Sequence, residues 1–421
     1  MGDQIKRHGA VSVEDVLRHN VMLLRLSGAW PPEGARASRW SRLYPLYTAS
    51  IFLSQGLCIA LGRLHAYESW GDTDSIMLTF VNTATLLGGV IKLAHFCSHV
   101  ADYRQLVTDL RDVVRLQWPD CERDSELMAT FSGSYRGALR LTFGMITYLH
   151  FVGPIWYVMP VVAWAMGAEG RHLPFIDLRG VVKENYSLYL LIYLVQCHSI
   201  FYWCFISPSL DMFFVTCMIH VAAQLSILNT RLTDVGGSQE ADGNDAVALP
   251  RTRRKIYLCQ EHSPKPDVFE ELRKCVKDHQ RILSFLQVLQ RVMSPVAVTQ
   301  FVCSSVSVCI TLFQATCNPE GNSSLKCFMY LPMPALQIFI YCYGGHELID
   351  QGLGVSLSAY SCEWVGATRR ATSSLLMLMC RAQKPLQLTA GKLYPINRIT
   401  FVSLLNASYS FYALLRQTRD R

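Results

Sequence analysis

Long apolar segments alternate with charged segments along the chain of 421 residues. Seven of the apolar segments are long enough to cross a bilayer as helices, which takes about 20 residues. We predict five spans at 43–62, 76–96, 141–166, 327–343 and 396–417. Between the third and the last two, a fourth span begins near 188 and a fifth ends near 317. The pattern therefore predicts an all-α membrane protein with seven transmembrane helices.

The fourth and fifth predicted helices are too long for the membrane alone. The fourth extends from 188 to about 231, with an interruption expected near Pro208, and would be about 66 Å long at 1.5 Å per residue. The fifth begins near Phe269 as an amphipathic, water-facing helix. Residues 211–292 are therefore predicted to leave the membrane, with a disordered loop at 233–267 that contains the basic run 251–255.

Residues 344–395 follow the sixth span and lack a segment long enough to cross the membrane. They begin with a turn predicted at Gly344 and Gly345, beside Glu347 and Asp350, which we interpret as surface or cap groups. A helix is predicted at 369–382. We expect it to join the extensions of helices four and five in one bundle outside the membrane.

The distribution of positive charge predicts the orientation. Of the 39 Lys and Arg residues, 29 lie in the segments that face the cytosol if the N-terminus is inside, and 8 lie in the opposite segments. Cytosolic loops carry the excess of Lys and Arg, so the segment 1–42 is predicted to be cytosolic and the tail 418–421 extracellular. The glycosylation sequons at Asn185 and Asn322 both fall in loops that this topology places outside.

Composition supports a membrane protein and offers little chemistry. The chain is 51% hydrophobic and 17% charged, with a mean hydropathy of +0.20. It has no P-loop, GxSxG or HExxH motif, so we predict no enzyme, no cofactor and no nucleic acid partner. His95, Cys97 and His99 lack a nearby carboxylate, and we expect no metal there. Cys317 and Cys327 either form a disulfide or stay unpaired.

The last predicted span has a stripe of small or mildly polar residues at spacings of three and four. The stripe comprises Thr400, Ser403, Ala407, Ser410, Leu414 and Gln417. Such a stripe is typical of a helix–helix packing seam, which the residues alone favour, and also of a pore wall.

The chain resembles the insect odorant receptors over nearly its whole length. The similar stretches are the 26–32 turn (LSGAWPP), 341–349 (YCYGGHELI), 359–364 (AYSCEW), 383–392 (QKPLQLTAGK) and 400–415 (TFVSLLNASYSFYALL). The resemblance is to the odorant-tuned subunits rather than to the longer co-receptor of the family.

This resemblance implies a subunit of a ligand-gated, non-selective cation channel that assembles as a heterotetramer with the co-receptor in the plasma membrane of a sensory neuron dendrite. It implies that 43–210 and 293–343 form helices one to six, that 211–292 and 344–395 form a cytosolic anchor, and that 396–417 lines the pore. The stripe then becomes a pore wall, with its gate near Leu414 and Gln417.

The resemblance also implies a pocket for volatile apolar odorants among helices two, three, four and six. The positions expected to face it are Phe80, His150, Gly153, Tyr157, Tyr189, Tyr193, Tyr330 and Met333. Aromatic and Met side chains would form an apolar wall, with His150 or a Tyr hydroxyl offering one hydrogen bond. The alternatives are a seven-helix G-protein-coupled receptor, which requires the N-terminus outside, a gustatory-type channel, and a transporter, for which internal repeats are missing.

Overall fold

The computed structural model describes residues 12–32, 39–167, 172–174, 176, 178, 185–236, 268–317 and 327–419. A short 3₁₀ helix, Val13–Asp15, opens this part of the chain. The helices that follow are α1 Arg18–Leu26, α2 Arg39–Glu68, α3 Thr73–Ser98, α4 Val100–Arg123, α5 Ser125–Ala165, α6 Tyr186–Asp234, α7 Val268–Cys317, α8 Pro332–Ser361, α9 Arg369–Ala382 and α10 Arg398–Arg419. Strands β1 Thr389–Ala390 and β2 Tyr394–Pro395 pair antiparallel between α9 and α10.

Seven of these helices correspond to the predicted spans, and the all-α, seven-helix fold is confirmed. In the described residues, α2, α3, α5, α6, α7 and α8 are each long and apolar enough to cross a membrane. The seventh, α10, has 22 residues and a length of about 33 Å, which also suffices. It is more polar than the other six, which indicates that part of its surface faces something other than lipid.

Helix α6 is the centre of the bundle. Its most apolar window is 89% buried inside the chain, whereas the corresponding window of α2 is only 28% buried. Residues 206–218 of α6 are all buried, and they contact α5 on one side and α8 on another. A helix that is apolar all round belongs in the interior, and one with an exposed apolar face, such as α2, faces lipid.

The extensions of α6 and α7 beyond the spans form one bundle with α4, α9 and the far end of α8. An ion-pair cluster ties three of these helices together: Arg231 of α6 contacts Asp120 of α4 at 3.1 Å and Asp278 of α7. We call this part of the molecule the anchor bundle. Helix α9 has the bounds that the sequence predicted.

Two predictions about helix breaks were wrong. The expected interruption at Pro208 is absent, because α6 continues through it. A proline removes one backbone hydrogen bond, and the dense packing of α6 on all sides compensates for that loss. The turn expected at Gly344 and Gly345 is likewise part of α8, which continues to Ser361.

The two glycines of α8 serve close packing. A Cβ atom at Gly345 would lie 2.3 Å from the backbone oxygen of Ile396, just before α10, and a Cβ atom at Gly344 would lie 3.2 Å from Cε of Met218. Neighbouring chain segments therefore approach α8 more closely than any other residue would allow.

Helix α4 was not predicted from the sequence. Its buried residues recur at spacings of three and four, as in any amphipathic helix: Tyr103, Leu106, Val107, Leu110, Val113, Val114, Gln117 and Cys121. The following helix, α5, begins at Ser125, where Asp124 caps it by accepting a hydrogen bond from the amide of Glu126 at 2.8 Å. The third span is thus preceded by a long helical extension on the anchor side.

Several predictions fall on residues outside the described part of the chain. These are most of the loop predicted to be disordered at 233–267, including the basic run, the sequon at Asn322, and the ends of the chain at 1–11 and 420–421.

Candidate functional site

An apolar cavity lies between α3, α5, α6 and the start of α8, at the end of the bundle remote from the anchor bundle. It has about 560 Å³ of empty volume and is partly open. Its lining residues are Asn82, Thr85, Leu86, Leu149, Val152, Gly153, Trp156, Ile200, Trp203, Cys204, Tyr330 and Met333. Concave sites with mostly apolar walls and few polar groups are the usual sites for small apolar ligands.

Three of the predicted ligand-facing residues line this cavity: Gly153, Tyr330 and Met333. Gly153 lies at a close contact between α5 and α6, since a Cβ atom there would be 2.8 Å from Sγ of Cys204. The absence of a side chain at this position therefore keeps the cavity open.

The other predicted residues lie around the cavity rather than on its wall. Tyr157 packs against the buried residues Leu149, Ile200, Cys204 and Met333. The hydroxyl of Tyr193 donates a hydrogen bond to the backbone oxygen of Tyr157. Tyr189 and Tyr193 pack against the loop residues 173, 176 and 178. His150 contacts the rings of Phe201 and Phe205, and Phe80 is 56% exposed.

The lining residues that were not predicted from the sequence include a polar pair from α3, Asn82 and Thr85. These residues share one helix face with Leu86 and Gly89, at spacings of three and four, and that periodicity was available in the sequence. Gly89 lies beside the ring of Trp203, because a Cβ atom at Gly89 would be 3.2 Å from Cδ1 of that ring. Because Gly89 has no side chain, the ring of Trp203 can reach the cavity wall.

A buried polar cluster lies next to the apolar cavity and joins four helices. Lys92 of α3 contacts both carboxylate oxygens of Asp211 of α6 at 3.0 Å, and it donates to Gln300 of α7 at 2.6 Å. From α8, Gln337 and Tyr341 donate to Asp211 at 3.2 and 3.1 Å. These five side chains are at most 4% exposed. Each charged group in this cluster is therefore paired and hydrogen-bonded, as burial requires.

Helix α10 contacts the rest of the chain with one narrow face. Its buried residues are Thr400, Leu404, Ser408 and Tyr412, and they pack mainly toward α7. Of the predicted stripe, Ser403, Ala407, Ser410, Leu414 and Gln417 lie on the exposed side. Thr400 does not, because it lies on the packed face. The exposed side of α10 is thus available to face a pore or another subunit.

The base of α10 is fixed to the anchor bundle by the small hairpin. The side chain of Gln290 on α7 bonds both the amide and the carbonyl of Thr389, at 2.8 and 2.9 Å. Gly391 donates its amide to Ser294 at 2.9 Å, and Arg398 contacts Glu347 of α8 at 3.2 Å. A displacement of α7 or α8 would therefore be transmitted to the start of α10.

Two further predicted sites lie at or near the ends of helices. Asn185 is exposed and caps α6 by accepting hydrogen bonds from the amides of Ser187 and Leu188 at 3.1 and 3.4 Å. Sγ of Cys327 lies 3.7 Å from Oε1 of Gln314, and the side chain of Cys317 is outside the described part. Glycosylation and the disulfide stay predictions. The described residues contain no cluster of three or more potential metal ligands.

Comparison with known proteins identifies the family. The family model described as 7tm Odorant receptor matches residues 72–409, which is most of the chain. The chain belongs to the 7tm odorant receptor family. Similar members of the family include odorant receptor Or2 of Anopheles gambiae, 22% identical over 84% of this chain and 87% of the relative. Odorant receptor 10 of Aedes albopictus is 23% identical over 83% of this chain and 86% of its own.

A solved structure of this family has the same fold. The insect olfactory receptor OR5 of Machilis hrabei in complex with eugenol superposes with a TM-score of 0.76 over 96% of this chain and 98% of that chain, at 16% identity. A second structure of the same receptor gives a TM-score of 0.77. The odorant receptor described here is thus a multi-pass membrane protein, and family membership places it among receptors rather than enzymes.

Proposed function

We propose that this protein is an odorant-binding subunit of a ligand-gated cation channel. The observation that carries the proposal is the apolar cavity among the second, third, fourth and sixth spans in a member of the odorant receptor family. A small volatile molecule bound there gains free energy by leaving water for an apolar wall. If it binds more tightly when α10 is displaced, it shifts the population toward the open channel.

The proposed orientation places the N-terminus and the anchor bundle in the cytosol and the apolar cavity in the outer half of the membrane. It follows from the excess of Lys and Arg in segments 1–42, 97–140, 229–292 and 344–395. The anchor bundle also contains the ion pairs of Arg231 with Asp120 and Asp278 on amphipathic helices, which suits the cytosol better than lipid.

Assembly with other subunits is supported by apolar side chains exposed on the anchor bundle. Leu357 and Val365 are 69% and 83% exposed, and Leu376, Met377 and Leu393 are exposed as well. These residues lie in the segment 344–395, which the proposed orientation places in the cytosol, where lipid tails do not cover them. Apolar side chains that neither the chain nor lipid covers are available for protein–protein contacts. We propose that the partners are other odorant receptor subunits, the co-receptor among them, arranged around an axis lined by α10.

The direct test is electrical. Cells that express this chain together with the family's co-receptor are perfused with a panel of volatiles, and current is recorded with G-protein signalling blocked. We expect odorant-evoked cation currents that persist under the block. Currents that disappear under it would instead favour a G-protein-coupled receptor, and a complete lack of response to the panel would count against the proposal.

Filling the cavity should impair detection. Gly153→Leu adds a side chain where even a Cβ atom would be 2.8 Å from Cys204, and we expect it to raise the half-maximal odorant concentration roughly 10-fold or more. Dose–response curves measure the effect, with surface labelling to confirm delivery to the membrane.

Gly144→Leu is the matched control on the same helix, because no atom of the described chain lies within 4 Å of a Cβ atom at that position. The control should keep the wild-type sensitivity. Equal losses from both variants would mean that the effect comes from helix α5 in general and not from the cavity.

A further inference from the structure

The apolar cavity has a polar neighbour. A second cavity, with about 300 Å³ of empty volume, is lined by polar residues of the cluster described above, among them Lys92, Gln300 and Gln337. The two cavities share three lining residues, Thr85, Trp203 and Tyr330. These three residues form a wall between the two cavities, with the apolar cavity on one side and the polar cavity on the other.

The contacts between the hydroxyl groups of this wall are long and leave capacity for a ligand, and the Tyr330 hydroxyl also interacts with Ser307. Oγ1 of Thr85 donates its proton to the backbone oxygen of Val81 at 2.6 Å, so it acts as acceptor toward its other neighbours. The hydroxyls of Tyr330 and Ser307 lie 3.3 and 3.4 Å from it. Bonds between hydroxyl groups are normally about 2.7–2.8 Å long, so both contacts are stretched.

Three other polar side chains near the cavity are engaged or face elsewhere. Nε1 of Trp203 donates to the backbone oxygen of Thr85 at 3.3 Å. Nδ1 of His150 lies 2.8 Å from the backbone oxygen of Ile146, and His150 does not line the cavity. Asn82 lines the cavity one turn from Thr85 and has interactions of its own. The stretched contact between Tyr330 and Thr85 is thus a position where a polar ligand atom gains hydrogen bonds.

We propose that this receptor detects small apolar molecules with one hydroxyl group, and that this hydroxyl inserts between Tyr330 and Thr85. A hydroxyl oxygen accepts the proton of Tyr330, and its own proton is donated to Oγ1 of Thr85. A carbonyl or ether oxygen makes only the first of these bonds, and a hydrocarbon makes neither. The adjoining polar cavity lowers the cost of removing the hydroxyl from water. This inference rests on the proposed function and narrows its ligand class to alcohols and phenols.

The test uses matched probes on two carbon skeletons. The first set is 4-methylphenol, 4-methylanisole and 1,4-dimethylbenzene, and the second is hexan-1-ol, hexanal and heptane. Dose–response curves are recorded for the wild type and for Tyr330→Phe, which keeps the ring and removes the hydroxyl. We expect the variant to raise the half-maximal concentration of the hydroxyl probes roughly 3- to 10-fold, as for the loss of one or two neutral hydrogen bonds. Hydrocarbon responses should stay within about 2-fold.

Tyr148→Phe is the control. Tyr148 packs against the buried residues Leu149, Ile200, Cys204 and Met333, but it does not line the cavity, and its hydroxyl donates to the backbone oxygen of Met329. It should leave the hydroxyl responses unchanged. Thr85→Val, of nearly equal shape, should reproduce the effect of Tyr330→Phe and replaces that variant if it does not reach the surface.

The outcomes separate the two proposals. Two results together would overturn the hydroxyl inference and leave the channel function intact. In the wild type, the hydrocarbons would evoke currents with a sensitivity equal to or greater than that of the hydroxyl probes. In Tyr330→Phe, the half-maximal concentration would shift equally for all probes. No current from any probe or from the wider volatile panel would overturn both.

Discussion

Replacing Lys92 by Met should remove most of the receptor from the cell surface. The carboxylate of Asp211 is fully buried, and Lys92 is the cation that pairs with it, at 3.0 Å. Met matches the length of Lys but leaves the carboxylate without its counter-charge. Breaking a buried pair on one side costs about 3–5 kcal/mol. The measurements are surface labelling and the midpoint of thermal unfolding in detergent.

The double variant Lys92→Met with Asp211→Asn is the informative control. It removes both charges while the Asn amide still accepts hydrogen bonds from Tyr341 or Gln337, as the carboxylate does. Removing both charges is often close to neutral. The double variant should therefore recover most of the lost surface expression. A double variant that is worse than either single one would show that the pair contributes beyond charge compensation.

Replacing Gly345 by Ala should displace the base of α10 or prevent folding. The added Cβ atom would lie 2.3 Å from the backbone oxygen of Ile396, and backbone cannot move aside as a flexible side chain can. Overpacking of this kind costs about 1–3 kcal/mol or more. Because Ile396 lies two residues before α10, we expect altered channel activity, either leak without odorant or loss of current, in the fraction that reaches the surface.

Gly137→Ala in α5 makes the same chemical change where nothing lies within 4 Å of the new atom. It should leave both expression and current at the wild-type level, or stabilise slightly through higher helix propensity. Wild-type behaviour of Gly345→Ala would mean that α8 and the segment before α10 separate more easily than their contact suggests.

Helix type and extent were largely predictable from the sequence. The extensions of α6 and α7 beyond the membrane follow from simple length, and the bounds of α9 follow from its apolar periodicity between flanking Arg residues. Pro208 and the Gly344–Gly345 pair misled the prediction. Local propensity treats both as helix breakers, but close tertiary packing keeps the helices continuous at both places.

The site was predictable only in part. The family resemblance gave the four helices that enclose the cavity, but a helix face is about 100° wide and does not tell interior from lipid. Phe80 therefore lies exposed on α3, while Thr85, about one and a half turns further on, lines the cavity. Lys92 was a missed signal: a charge within a spanning helix requires a partner, and Asp211 was already visible in the fourth predicted helix.

The central claim is that α10 lines the conduction path and that odorant binding opens it. Leu414 is 58% exposed, whereas Tyr412, two residues away, is 8% exposed and packs against Cys309 and Phe313. Cys is introduced at each position in turn, and a charged methanethiosulfonate reagent is applied from outside during odorant-evoked current. We expect that Leu414→Cys is modified and that the current changes, faster with odorant than without, while Tyr412→Cys behaves like the wild type. Modification of Tyr412→Cys with no effect at Leu414→Cys would contradict the claim.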